Sequence, residues 1–210
     1  MKNYIKHIWF DMDGTLTVHT DQFNKAHDEL RYKVCSEVVG RPVDENLIHE
    51  YENLYQKAGS NSAVFTSLGK ESDFWMGYFG TIDQISFHKP IPDVYKTLEK
   101  LKAIVPISLF TNNSLINIQK TFGVINIDQS WFTHIISGND IKNRKPHLEG
   151  FKLMIDKSNL PPENILFVGD RIKVEIVPAN EVGIQSGLIY GKSELADYNF
   201  ENFSDILSII

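Results

Sequence analysis

Two hydrophobic periods run through this chain, and their placement sets its architecture. Five short runs rich in Ile, Val and Phe, at residues 5–10, 105–110, 134–137, 165–169 and 184–190, show no strict alternation of apolar and polar positions and read as strands. Strands of that kind are buried on both faces, as in parallel sheets. Helical stripes accompany them. Val94, Leu98 and Leu101 follow Pro92, and Phe151, Met154 and Ile155 follow Pro146, which is placed to open a helix. Repeated β-α alternation implies parallel strands joined by right-handed crossovers.

Between the first two runs lie about ninety residues without a strand pattern, far too many for a crossover loop, so they form an insertion. Phe23, Ala26, Leu30, Val34 and Val38 recur at helical spacing behind Thr20 and Asp21 as caps, and Leu47, Tyr51, Leu54, Tyr55 and Ala58 do so behind Asp44. Phe74, Trp75, Tyr78, Phe79 and Ile82 complete a helical bundle, their aromatic stripe read as core packing. Residues 59–63 and 66–69 are expected to form a polar loop able to adapt to a ligand. Hinges are expected at residues 17–20 and 86–89.

The 210 residues, 42% of them hydrophobic, suffice for a full core plus this insertion. A net charge of −6 argues against a nucleic-acid or anionic-membrane partner, and no apolar run approaches the roughly 20 residues of a membrane span. Cys35, the single cysteine, sits near Val34 and Val38 and reads as a buried small hydrophobe; with no disulfide to form, a cytoplasmic location is expected. Arg31, Arg41, Lys57 and Lys70 read as solvated helix faces. The seven histidines show no metal-ligand spacing. Gly187-Leu188-Ile189-Tyr190-Gly191-Lys192-Ser193 is one residue short of a phosphate-binding P-loop and is strand-like in its middle.

Chemistry enters where the first strand ends. Ile8-Trp9-Phe10-Asp11-Met12-Asp13-Gly14-Thr15-Leu16 sets two carboxylates one residue apart between an apolar run and a glycine turn. Alternate residues of an extended segment point the same way, so Asp11 and Asp13 can share a side at the strand's C-terminal end, the ligand edge of open α/β sheets. Like charges that close repel, and a cation relieves the repulsion. A short acidic turn is common in itself, but later elements add to this one. The second strand runs into Phe110-Thr111-Asn112-Asn113, a hydroxyl and backbone N–H groups near a helix start, where anions are favoured. After the third comes Asn143-Arg144-Lys145-Pro146. The fourth ends Phe167-Val168-Gly169-Asp170-Arg171, with Glu175 five residues beyond Asp170.

In order and spacing these residues resemble the four motifs of the haloacid dehalogenase superfamily of phosphotransferases. Asp11-Met12-Asp13-Gly14-Thr15-Leu16 resembles the first, Thr111 the second, Lys145 the third, and Gly169-Asp170 with Glu175 the fourth. The insertion after Leu16 is similar to the family's helical cap, and the phosphoglycolate phosphatase-like branch is the nearest in pattern. The fold class is then α/β: a Rossmann-like parallel sheet of about five strands flanked by helices, with an α-helical bundle cap inserted after the first strand. The core would span residues 1–16 and 88–210 and the cap residues 17–87.

The resemblance further implies a Mg²⁺-dependent phosphatase acting on a small phosphate ester such as phosphoglycolate, a sugar phosphate or a nucleoside monophosphate, as a monomer or homodimer. Asp11 attacks phosphorus, while Asp13 protonates the departing alkoxide and later takes a proton from water. Thr111, Asn112 and Lys145 hold the phosphoryl group. The Asp11 and Asp170 side chains and the Asp13 backbone carbonyl hold the metal, with Glu175, a methylene longer than the family's usual Asp, acting through water. Asp13 favours ester hydrolysis over halogen removal, since an alkoxide needs a proton to leave. The same motifs serve a phosphosugar mutase of the β-phosphoglucomutase type, and a non-catalytic binding module of this fold is a third alternative.

Overall fold

The computed structural model describes residues 4–83 and 88–210. The chain divides into two units, Met1–Val18 with His88–Ile210, and His19–Phe87.

In the first unit the apolar runs become β1 (His7–Phe10), β4 (Ile107–Phe110), β5 (Ile135–Ile136), β6 (Ile165–Gly169) and β7 (Gln185–Ile189), joined at the edge by β8 (Tyr198–Phe200). They form a sheet of order β5-β4-β1-β6-β7-β8 in which each neighbouring pair is parallel. Ile8 lies between Ile107 on one side and Leu166 on the other, so β1 is central. Successive residues of one strand feed opposite cores. Ile8, Phe10, Leu109 and Val168 pack on one face, Trp9, Phe110 and Phe167 on the other. That is why these strands carry consecutive apolar residues, as in Ile8-Trp9-Phe10 and Ile165-Leu166-Phe167-Val168, rather than a strict alternation. The one polar atom of Trp9 is satisfied, its Nε1 donating to Ser158 Oγ at 2.8 Å. Helices α5 (Val94–Leu101), α6 (Leu115–Ile125) and α7 (Glu149–Ser158) connect these strands, and α8 (Val177–Glu181) precedes β7.

From β1 the chain builds β4 and then β5 to one side before crossing to β6, β7 and β8 on the other. The carboxyl ends of β4, β1 and β6 therefore lie side by side at the place where an open α/β sheet binds ligands. The three carboxyl ends lead into Thr111, Asp11 and Asp170.

Several local expectations are corrected. Pro146 does not open a helix: α7 begins at Glu149, and the Lys145–Pro146 peptide is cis, within a turn. The stretch between β1 and β4 does contain strands, β2 (Thr17–His19) and β3 (His88–Pro90), which pair with each other. Three-residue strands owe their form to a partner and leave no period of their own. β2 occupies the first expected hinge; residues 86 and 87 of the second lie outside the described residues.

The second unit holds α1 (Asp21–Val39), α2 (Glu45–Ala58), α3 (Asn61–Ser67) and α4 (Phe74–Phe79). Thr20 and Asp44 cap α1 and α2 by accepting the N–H of Phe23 and Leu47, and Gly40 and Gly59 close them in left-handed conformation. The expected polar loop is instead the helix α3. Ser60 caps it, and it buries Val64 and Phe65 among Val34, Cys35, Leu47, Tyr51 and Trp75. The aromatic stripe is packing, with Phe65 and Trp75 stacked at 5.5 Å. Arg31 is no solvated face either. Its guanidinium pairs with Asp28 at 2.9 Å and Glu52 at 2.7 Å beside the rings of Tyr32, Tyr51 and Tyr55. Burial pushes the Cys35 thiol up, which suits a packing residue and not a nucleophile.

Candidate active site

Asp11 extends β1 by one further pairing, its N–H donating to the Val168 carbonyl at 2.9 Å. Met12 is fully buried, and its carbonyl receives the N–H groups of Thr15, Leu16 and Thr17, folding the chain into a tight turn. Gly14 sits in that turn at φ +81°, where a Cβ would lie 2.2 Å from Asp170 Oδ2. Glycine is required there twice over, by backbone conformation and by the approach of the next acidic strand tip.

Lys145 reaches the strand tips from the turn before α7. Its ammonium donates to Asp11 Oδ1 at 2.5 Å, Glu175 Oε1 at 2.9 Å and the Phe110 carbonyl at 3.3 Å, which engages all three of its protons. Asn112 fixes the backbone that carries it, accepting the Lys145 N–H at 2.9 Å and donating to the Lys145 carbonyl at 3.2 Å. The Asn112 side chain thus faces the lysine turn, and its backbone N–H is what remains for an anion. Thr111 is buried beside it, its hydroxyl accepting the Asn113 N–H at 3.2 Å.

A π-type turn, Ile172–Ile176, brings Glu175 back onto the tip of β6. Glu175 Oε2 accepts the N–H groups of Asp170 and Arg171 at 3.0 and 3.1 Å, while Oε1 takes the Arg171 guanidinium at 2.8 Å in addition to Lys145. Both oxygens are engaged, so the structure places Glu175 as a brace for cations and backbone. The extra methylene gives it the reach for both tasks.

Asp13 stands apart from this cluster. Its Oδ2 accepts from Asn113 Nδ2 at 2.6 Å and its Oδ1 lies 3.1 Å from His88 Nε2. The sequence offers Asn113 for its backbone N–H and not for the side chain that meets Asp13, and it offers His88 no role at the site. His88 lies 75 residues away along the chain, and no local pattern announces it. Arg171 could have been found as the cation next to an acid whose partner lies five residues on.

Three carboxylates, Asp11, Asp170 and Glu175, share the site with two cations, Lys145 and Arg171, an excess of one negative charge. Burial first, then the neighbouring Glu175, push the Asp11 carboxyl up to about 8 against the pull of Lys145 and Arg171. Asp170 rises to about 6 for the same two leading reasons. Burial opposes charge at Glu175 as well, yet Lys145 and Arg171 hold its carboxyl down to about 2. Burial likewise disfavours the Lys145 ammonium, and Asp11 and Glu175 keep it charged.

The donor set fits a hard divalent cation. Carboxylate oxygens of Asp11, Asp170 and Glu175 lie within 4.8 Å of one another, and Asp11 Oδ2 and Asp170 Oδ1 are buried with no hydrogen bond. Those two oxygens supply the one or two carboxylate donors that Mg²⁺ takes alongside water and phosphate, while Glu175, both oxygens engaged, stands behind them. The structure thus brings together Asp11, Asp170, Glu175 and Lys145, sets Thr111 and Asn112 beside them, and holds the carboxylate of Asp13, two residues after Asp11, in a separate cradle.

A family model for haloacid dehalogenase-like hydrolases matches residues 5–183. The phosphoglycolate phosphatase of Photorhabdus laumondii subsp. laumondii is 33% identical over 98% of this chain and 92% of its own. The glyceraldehyde 3-phosphate phosphatase of Methanocaldococcus jannaschii is 27% identical over 98% of this chain and 97% of its own. The crystal structure of a haloacid dehalogenase-type phosphatase from Thermococcus onnurineus shares the fold, with a TM-score of 0.69 at 17% identity over 98% of this chain and 97% of that one. The chain belongs to the haloacid dehalogenase-like hydrolase family.

Proposed function

We propose that this hydrolase is a Mg²⁺-dependent phosphatase of a small phosphomonoester and works through an aspartyl-phosphate on Asp11. The observation that carries this reading is the buried Asp11 carboxylate, with one oxygen on the Lys145 ammonium and the other without a hydrogen bond. Phosphoglycolate and glyceraldehyde 3-phosphate, the compounds in the relatives' names, are both small esters with alkoxide leaving groups.

Asp11 Oδ2 attacks phosphorus as the bond to the leaving oxygen breaks, and Asp13 gives that oxygen a proton. Water then attacks the aspartyl-phosphate and gives Asp13 its proton, and inorganic phosphate leaves with Asp11 restored. At about 5 Å and an effective dielectric near 20, each unit-charge repulsion between a carboxylate and a phosphate dianion costs about 3 kcal/mol. Lys145 and Arg171 offset part of this. Mg²⁺, held by the Asp11 and Asp170 carboxylates with the Asp13 backbone carbonyl, would supply further positive charge against the phosphoryl oxygens. Thr111 and the Asn112 N–H would orient the phosphoryl group at the carboxyl end of β4.

The test is phosphate release from a panel of phosphomonoesters with and without Mg²⁺, together with intact-mass detection of a phosphoryl adduct on Asp11. Metal-dependent release from two- and three-carbon esters is expected. An isomerised sugar phosphate without free phosphate would replace this reading with a mutase, and no turnover of any ester would replace it with a binding module.

A further inference from the structure

We infer that His88 is the positioning residue for the acid-base carboxylate Asp13, set by a relay that begins at Thr121; this rests on the phosphatase reading. The His88 side chain is 4% exposed, a costly place for an imidazole unless both nitrogens have partners. They do. Nε2 lies 3.1 Å from Asp13 Oδ1, and Nδ1 lies 3.5 Å from the hydroxyl of Thr121 on α6. When the Thr121 hydroxyl donates to Nδ1, the Nε2 proton is aimed at Asp13, which is the tautomer this contact needs. The backbone is fixed as well, since the Thr17 hydroxyl donates to the carbonyl of Lys89, next to His88, at 2.8 Å. Thr17 also pairs with Asp13 itself, so donor and acceptor are registered to one short ribbon.

The arrangement does something specific for Asp13. With Asn113 on Oδ2 and His88 on Oδ1, each carboxylate oxygen has a side-chain partner. As Asp13 passes its proton to the leaving oxygen, negative charge grows on those oxygens and both contacts strengthen. Such contacts lower the barrier without tightening substrate binding, so they act on kcat. The benefit scales with how much proton the leaving group needs. An alkoxide needs a whole one, whereas a nitrophenolate leaves without it. A histidine that merely fills space would show no such dependence.

The test follows phosphate release by wild type, His88→Ala, His88→Gln and Thr121→Val. The substrates are p-nitrophenyl phosphate and whichever alkyl phosphomonoester the wild-type chain hydrolyses fastest. For His88→Ala we expect kcat on the alkyl ester to fall by about 10- to 100-fold, the size of effect seen when a side chain that orients a reacting group is removed, with KM little changed and at most a few-fold loss on p-nitrophenyl phosphate. Retained turnover of the activated ester also shows that the variant is folded. The glutamine amide can donate from the same region and should recover most of the loss, and Thr121→Val should fall between. Equal losses on both esters in the valine variant, a glutamine variant no better than alanine on the alkyl ester, or no loss in any variant, would overturn the role of His88 while leaving the phosphatase reading intact. A wild-type chain that hydrolyses no ester would overturn both.

Discussion

Glu175 accepts the Lys145 ammonium at 2.9 Å in a site where neither side chain has any exposed surface. A buried pair of this kind is weak evidence for net stability, but removing Glu175 leaves Lys145 on Asp11 with one proton disengaged and strips the Asp170 N–H, the Arg171 N–H and the Arg171 guanidinium of their acceptor. Glu175→Ala should therefore cost about 3–5 kcal/mol, read as a lower urea midpoint at unchanged slope. Glu175→Asp is the finer probe. A side chain one methylene shorter cannot both accept the Asp170 and Arg171 N–H groups and reach Lys145, so it should lower stability and turnover together. An aspartate variant with wild-type midpoint and activity would show that the brace does not need this reach.

Asp11→Asn is expected to separate stability from activity. Burial and Glu175 hold the Asp11 carboxyl at about 8, far above its usual range, so ionising it near neutral pH works against the metal-free fold. For a raised acid pKa the folded state binds the extra proton, and stability falls as pH rises from the unfolded value, near 4, through about 8. The neutral amide removes that penalty while keeping an oxygen for Lys145. Urea midpoints at pH 7.5 without metal should be equal to or above wild type, and turnover should be abolished. A large loss of stability would mean that Asp11 is a structural carboxylate.

Gly14→Ala tests whether the turn and the metal acid are coupled. The substitution meets a φ of +81° and a Cβ position 2.2 Å from Asp170 Oδ2, so either the backbone or Asp170 must move. The backbone strain alone is worth about 1–2 kcal/mol. If Asp170 yields, the Mg²⁺ concentration for half-maximal activity should rise about tenfold or more, as when a metal ligand's support is disturbed. Unchanged Mg²⁺ dependence would place Asp170 outside the metal site.

The central strands were legible because their burial on two faces puts apolar residues side by side: Ile165–Gly169 carries its whole strand, and Trp9 and Phe10 mark both cores at once. The strand-tip chemistry was legible too, since Asp11, Thr111 and Asp170 sit where runs end, and Lys145 follows the third. Pairings that depend on a distant partner left no trace. Tyr198–Phe200 is too short to show a period, Asn61–Ser67 is a seven-residue helix whose Ser and Asn content reads as a turn, and His88 gains its meaning only from Asp13 across the ribbon.

His7 offers a pH test away from the catalytic groups. It opens β1, lies against Ser108 Oγ at 2.8 Å and stacks on Trp9 at 5.4 Å. Burial, with a smaller contribution from His134, lowers its pKa to about 4 from an ordinary 6.5. The unfolded chain therefore takes up a proton between these values that the folded chain refuses. The contribution is fully present above pH 6.5 and is lost as pH falls toward 4. At pH 5 this amounts to about 1–2 kcal/mol once residual solvent screening is allowed for. His7→Asn keeps a polar partner for Ser108 and cannot titrate, so its urea midpoint should drop less than that of wild type between pH 7.5 and pH 5. If the two proteins lost stability in parallel over that range, the proton would be entering elsewhere, and the burial of His7 would not be what makes the core sensitive to acid.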